Sequence, residues 1–189
     1  QNLILCGDKI AARGLEDDRG CSHASPLFSI VNENGLLSVL HGGRTVMRID
    51  PAMTLLLDTE GHAYYFSFSL DMAGEALYGL GEKFDAVNQR GKKPLNYVVE
   101  KFTHQEEKAY LPIPFVFSNA GVSFYLNNTY PSSFDFSGKA KEGWSPMVVS
   151  GFCPNEGNLF EAKIEAGSPA YLLKQHVLET GEAVLPPRW

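Results

Sequence analysis

Acid–base or nucleophilic work on a bond would fall to Glu82, Asp85, Glu100, Glu106, Glu107 or Asp135 in this sequence. Two carboxyls that cooperate in hydrolysis must be held as a pair, one giving a proton while the other attacks or activates water. The spacing of these six fixes no pair, and a chain with 22 acidic residues brings carboxyls together by chance. No catalytic residue is therefore assigned. His23, His41, His62, His104 and His176 lack the i,i+4 spacing of helical metal ligands, so neither a metal site nor a cofactor is expected. Cys6, Cys21 and Cys153 are odd in number and far apart, which writes no disulfide framework and no Cys-x-x-Cys site. They are read as ordinary thiols.

The charge balance narrows the partners. Sixteen basic residues against 22 acidic give a net charge of −6, with neither sign gathered into a block. Nucleic acid and anionic membrane are poor partners for such a surface. No apolar run approaches the length of a membrane span. At 189 residues the chain suits one large domain or two small ones and can bury a real core.

The elements that would position these side chains read as strands. Leu27 to Val31, Gly35 to Leu40, Thr45 to Ile49 and Thr54 to Leu57 are apolar or β-branched runs. Asn32-Glu33-Asn34-Gly35, His41-Gly42-Gly43 and Asp58-Thr59-Glu60-Gly61 supply turn chemistry between and after them. Tyr64, Phe66, Phe68 and Leu70 alternate with Tyr65, Ser67 and Ser69; Val122, Phe124 and Leu126 oppose Ser123, Tyr125 and Asn127. Phe134 and Phe136 repeat the pattern, as do Phe160, Ala162 and Ile164 against Glu161, Lys163 and Glu165. A period of two with faces of unlike polarity predicts a mostly β fold, an antiparallel β-sandwich with one core face and one wetter face per sheet.

At the centre lies Leu77-Tyr78-Gly79-Leu80-Gly81-Glu82-Lys83-Phe84-Asp85. Glycines on both sides of Leu80 let the backbone bend or approach another surface where a side chain would collide. Glu82 comes just after the bend, and two readings stay open for it: pairing with a basic group across a boundary, or facing water. A charged loop then runs from Asn88 to Tyr110.

One helix is expected. Ser168 caps it, Pro169 takes its first position, Leu172, Leu173, His176, Val177 and Thr180 recur at helical spacing, and Gly181 stops it. Beyond it, Ala183 to Trp189 is extended by proline. The strand-like opening from Gln1 to Cys6 and the terminal Trp189 raise the expectation that the chain is cut from a longer one. Asn127-Asn128-Thr129 has the form of a glycosylation acceptor, a pattern short enough to arise by chance.

Tyr78-Gly79-Leu80-Gly81-Glu82-Lys83-Phe84 resembles the Tyr-Gly-Leu-Gly-Glu-Arg-Phe stretch of family 31 glycoside hydrolases, the α-glucosidases and α-xylosidases. Tyr110 to Phe115, the hairpin from Gly121 to Asn127, Phe134-Asp135-Phe136 and the closing Leu185-Pro186-Pro187-Arg188-Trp189 come in the same order. The resemblance implies a galactose-mutarotase-like sandwich over residues 1–166, with a helix and linker over 167–189 leading to a catalytic (β/α)8 barrel. Retaining hydrolysis needs two carboxyls about 5 Å apart; the resemblance puts both in that barrel and leaves this domain without catalytic residues.

It also implies that the 88–110 loop reaches the substrate pocket. Counting back from Ile113-Pro114-Phe115 brings Glu100, Lys101 and Phe102 to the substrate-binding stretch, where the family's Asn-Arg-Asp is absent. Carboxylate and ammonium groups read sugar hydroxyls, and Phe102 or Tyr97 offers a ring face. The opposing reading is a solvated loop. Glu82 and Trp189 are the expected interdomain contacts. The implied partners are the chain's own downstream barrel and an α-linked oligosaccharide or glycoside. A free-standing carbohydrate-binding sandwich and a mutarotase-like aldose epimerase are the alternatives; the second needs paired histidines and a carboxylate on one sheet.

Overall fold

Side chains that alternate along a strand can bury one row only if a second sheet closes over it. The computed structural model shows that arrangement, describing residues 3–6, 11–14, 28–100, 103, 109–140, 142–153 and 160–181. In chain order the strands are β1 (Leu3–Cys6), β2 (Ala11–Gly14), β3 (Phe28–Glu33), β4 (Leu36–His41), β5 (Arg44–Leu57), β6 (Ala63–Ala73) and β7 (Leu77–Gly79). They continue as β8 (Leu95–Asn96), β9 (Phe115–Ser118), β10 (Val122–Leu126), β11 (Ser132–Asp135), β12 (Trp144–Phe152) and β13 (Glu161–Ala166), and α1 (Pro169–Thr180) comes last. One sheet has the order β2-β1-β13-β10-β9-β7 and the other β3-β4-β5-β6-β12-β11-β8, and every ladder between these strands is antiparallel.

The core lies between the sheets and is stitched by aromatic rings. Phe66 and Phe68 of β6 stack on Phe160 at centroid distances of 4.6 and 5.1 Å, and Phe68 reaches Phe124 of β10 at 6.1 Å. Phe124 in turn meets Phe134 of β11 edge-on. Such contacts add to the burial of large apolar surface, which is the main stabilising term of the sandwich. Of the alternating rows expected from sequence, Phe66, Phe68, Leu70, Val122, Phe124, Leu126, Phe134, Phe136, Phe160, Ala162 and Ile164 are buried, whereas Tyr64, at the start of β6, is exposed.

The strands differ from expectation in two places. The runs Thr45 to Ile49 and Thr54 to Leu57 form a single strand, β5, 14 residues long. Pro51 lies in its middle, where the register with β6 shifts between Ile49 and Met53 and the pairing with β4 has ended. Lacking an N–H, proline is tolerated where no ladder bond is asked of it.

The second difference is on the wetter face of β13 and β10. Lys163, Glu165 and Ser123 are buried there; α1 packs on β9 and β10, and its Glu179 reaches Lys163. Lys163 Nζ binds the carboxylates of Glu165, at 3.4 Å, and of Glu179 on α1. A buried lysine is tolerated when carboxylates compensate its charge.

The helix itself begins and ends as expected, with the Ser168 hydroxyl accepting from the Tyr171 N–H and Gly181 at the cap. Its inward face is Leu172 and His176; Leu173 and Val177 are exposed. His176 stacks on Phe115 at 4.0 Å and meets Tyr125 edge-on at 4.9 Å.

Burial pushes the His176 imidazole below its ordinary 6.5, with Glu179 pulling it up and Lys163 pushing it further down. Below pH 6.5 the unfolded chain then takes up a proton that the folded one resists. Stability attributable to His176 is complete above that pH and declines as pH falls toward the lowered folded value. Glu165 has the opposite sign: burial raises its carboxyl, against the pull of Lys163, so folding gains as it becomes protonated. Urea unfolding of the chain and of His176→Phe from about pH 8 to about pH 5.5 separates the two. The natural chain is expected to lose stability relative to the variant as pH falls; parallel curves would mean that His176 carries no such penalty.

Candidate functional face around the glycine bend

The bend is built by backbone. Gly79, Leu80 and Gly81 have φ of 117°, 65° and 78°, three successive left-handed residues. For leucine that conformation costs about 1–2 kcal/mol, and here the side chain is fully buried in the core, which more than offsets it. A Cβ on Gly79 would stand 2.3 Å from the Phe115 carbonyl oxygen, and one on Gly81 1.9 Å from that of Leu111. The close approach is used: the Leu80 N–H donates to the Phe115 carbonyl at 2.8 Å and the Glu82 N–H to the Leu111 carbonyl at 3.2 Å.

The segment after the bend is tied down residue by residue. The Asn88 side chain accepts from the Leu77 and Arg90 N–H groups, both at 3.1 Å. Arg90 donates to the Glu75 carbonyl at 2.9 Å, Lys92 pairs with Asp85, and Lys83 donates to the Leu95 carbonyl at 3.1 Å. The Val99 N–H donates to the Ala109 carbonyl at 3.1 Å, closing the base of the loop that contains residues 100–108.

These bonds bring three segments together: 81–87, 95–99 and 109–113. They carry Phe84, Val87, Leu95, Val98, Leu111 and Ile113, all exposed, Val87 at 79% and Leu111 at 66%. Tyr97 is exposed beside them. Together they make the candidate functional face, apolar surface held by a hydrogen-bonded backbone. The sequence held a signal for it, since apolar residues recur there without strand or helix period and so have no core row to join.

Glu82 and Glu100 are both exposed, and neither has a side-chain partner among the described residues. Lys101, Phe102 and Trp189 lie outside the described residues, as do Glu106, Glu107, His23, His104 and Cys21. Asp85 and Asp135 are ion-paired rather than poised for proton transfer. Burial alone would raise each carboxyl, but Lys92 beside Asp85, and Lys93 at 2.8 Å together with Ser137 beside Asp135, hold both below the usual carboxylate value. A carboxyl held low stays charged at neutral pH and makes a poor general acid. Cys153 is buried, its thiol pushed up by that burial, and it donates to the Ala63 carbonyl. His41 ends β4, His62 sits in the turn before β6 and His176 is on α1, so these three do not share a sheet face. Among the described residues no group of three or more His, Cys, Asp or Glu could hold a metal ion.

A second feature was not legible in the sequence. The outer face of the larger sheet holds a cavity of about 350 Å³ over β5, β6, β12 and β11. Arg48, Asp50, Ser69, Asp71, Asp135 and Val148 line it. Arg48 lies opposite Asp71 in the ladder, and its guanidinium sits 3.9 Å from the centre of the Trp144 ring.

Two antiparallel sheets over one aromatic core, with a rigid bend and a long loop at one end, define a β-sandwich module. The chain belongs to the glycosyl hydrolase 31 N-terminal galactose mutarotase-like domain family, whose sequence model matches residues 19–135. An isomaltosyltransferase from Sporosarcina globispora is 28% identical over 91 residues, 48% of this chain and 8% of that protein. An alpha-xylosidase from Emericella nidulans is 31% identical over 127 residues, 66% of this chain and 15% of that protein. The chain thus spans a small part of these curated relatives. Among solved structures, a cycloalternan-degrading enzyme from Trueperella pyogenes superposes with a TM-score of 0.60 at 18% identity, over 84% of this chain and 21% of its own. A cycloalternan-forming enzyme from Listeria monocytogenes does so at 0.57 and 18%, over 85% and 18%.

Proposed function

We infer that the chain is the non-catalytic amino-terminal domain of a retaining α-glycosidase. Residues 1–166 form its sandwich, and residues 167–189 carry the helix and linker toward a catalytic (β/α)8 barrel. The observation that carries this reading is the exposed apolar face around the bend. Its occupant is the barrel, as the small share of each relative's length spanned by this chain supports. The face would exclude water from the boundary and hold the 88–110 loop over the barrel mouth. There Glu100, Lys101 and Phe102 contact an α-linked substrate, while Glu82 and Trp189 serve as interdomain contacts.

The test separates folding from docking. Val87→Asp with Leu111→Asp removes no core contact, so the isolated chain should unfold within about 0.5 kcal/mol of the natural one. In the polypeptide that joins this domain to its barrel, the same pair places two charges in a desolvated boundary. Hydrolysis of an aryl α-glycoside by that polypeptide should fall at least tenfold, and its melting point should drop. Unchanged turnover and melting in the joined polypeptide would reject the docking role.

A further inference from the structure

None of the exposed apolar residues around the bend lines the cavity on the outer face of the larger sheet, and docking on a barrel gives it no role. Its lining has an unusual balance. Arg48 supplies a cation, Asp50 and Asp71 supply anions, and Asp135 is already neutralised by Lys93. Ser69 adds a hydroxyl, and Val148 offers an apolar floor. The Arg48 guanidinium rests over Trp144, a position that fixes its plane. No ion pair joins it to the carboxylates around it among the described residues.

The charges decide the ligand class. A metal ion would need carboxylates that converge without a cation among them, and no such group is present among the described residues. An anion would have to approach Asp50 and Asp71 to reach Arg48. A neutral polyhydroxylated ring meets neither obstacle. Each hydroxyl can donate to a carboxylate and accept from the guanidinium or serine, while the ring's C–H face lies on Val148. The volume of about 350 Å³ is at the small end of ligand sites.

We propose that this cavity is a binding site for a neutral sugar, held by Arg48, Asp71 and Asp50 on the outer face of β5 and β6.

The test is a nuclear magnetic resonance titration of the full chain with isomaltose, with calcium chloride and citrate as separate probes. Saturable shifts are expected with isomaltose, confined to amides of residues 48–50, 69–71, 135–138 and 144–148. Asp71→Asn keeps the shape of the side chain and Arg48→Met keeps its stem. Each should weaken isomaltose binding roughly tenfold or more, as loss of a charge-assisted hydrogen bond does, while the remaining spectrum stays that of the folded chain. The proposal is overturned by an absence of saturable shifts, by shifts centred on residues 95–113, by binding of calcium or citrate in place of isomaltose, or by folded variants that bind isomaltose as the natural chain does. These outcomes are read on the chain alone, so they are independent of whether the apolar face docks on a barrel.

Discussion

Gly81→Ala is expected to destabilise the domain by about 2–3 kcal/mol, more than most point substitutions cost. Two costs combine. The left-handed backbone, at φ 78°, penalises any side chain by about 1–2 kcal/mol. The new methyl would also stand 1.9 Å from the Leu111 carbonyl oxygen and 2.9 Å from the Ile113 nitrogen, so the 111–113 segment must move away. That movement breaks the bond from the Glu82 N–H, about 1 kcal/mol more. Gly43→Ala is the control. Its φ of 75° is similar, but nothing lies within 4 Å of the added carbon, so only the backbone term remains. Urea midpoints of the two variants check the argument. If they shift equally, the clash at Leu111 has no consequence.

Lys163→Met is expected to cost about 3–5 kcal/mol, because it breaks the ion pair, 3.4 Å long, between two buried side chains. The lysine and glutamate side chains are only 10% and 6% exposed, so water cannot take over the role, whereas Glu179 at 43% can turn outward. Replacing both buried members, Lys163→Met with Glu165→Met, should restore most of the loss, since an apolar pair of similar volume needs no compensation. The double-mutant cycle measures the coupling directly. A double variant no more stable than Lys163→Met would mean that the damage comes from packing rather than from the broken ion pair.

The fold was legible wherever one face of a strand is buried and the other is wet. Phe66, Phe68 and Leu70 in β6, or Val122, Phe124 and Leu126 in β10, announce their partner by parity alone. Helix α1 was legible from Ser168 and Gly181, because caps are local chemistry. Lys163 and Glu165 were misread for the converse reason. Their pairing, with each other and of Lys163 with Glu179 of α1, is set by tertiary contact rather than by local pattern. Thr45 to Ile49 and Thr54 to Leu57 read as separate runs because Asp50, Pro51 and Ala52 break the apolar pattern between them; β5 continues through Pro51, where the β4 ladder has ended. The bend was legible as glycines around Leu80, although the sequence does not say which carbonyls they approach. The outer cavity was illegible: Arg48, Asp71 and Asp135 are remote in sequence and meet only through the β5-β6-β12-β11 order.

Among the described residues, part of the long β5 has a neighbour on one side only. Its second half, Met53 to Leu57, pairs with β6 on one side and has no ladder with β4 on the other. Leu56 and Leu57 are both exposed on this stretch. A rim with no partner among the described residues is the kind of edge to which a second molecule can add its own strand, the first event in fibril growth. Asp50 and Pro51 stand at its start, a charge and a residue that cannot donate, the kinds of residue that blunt such an edge.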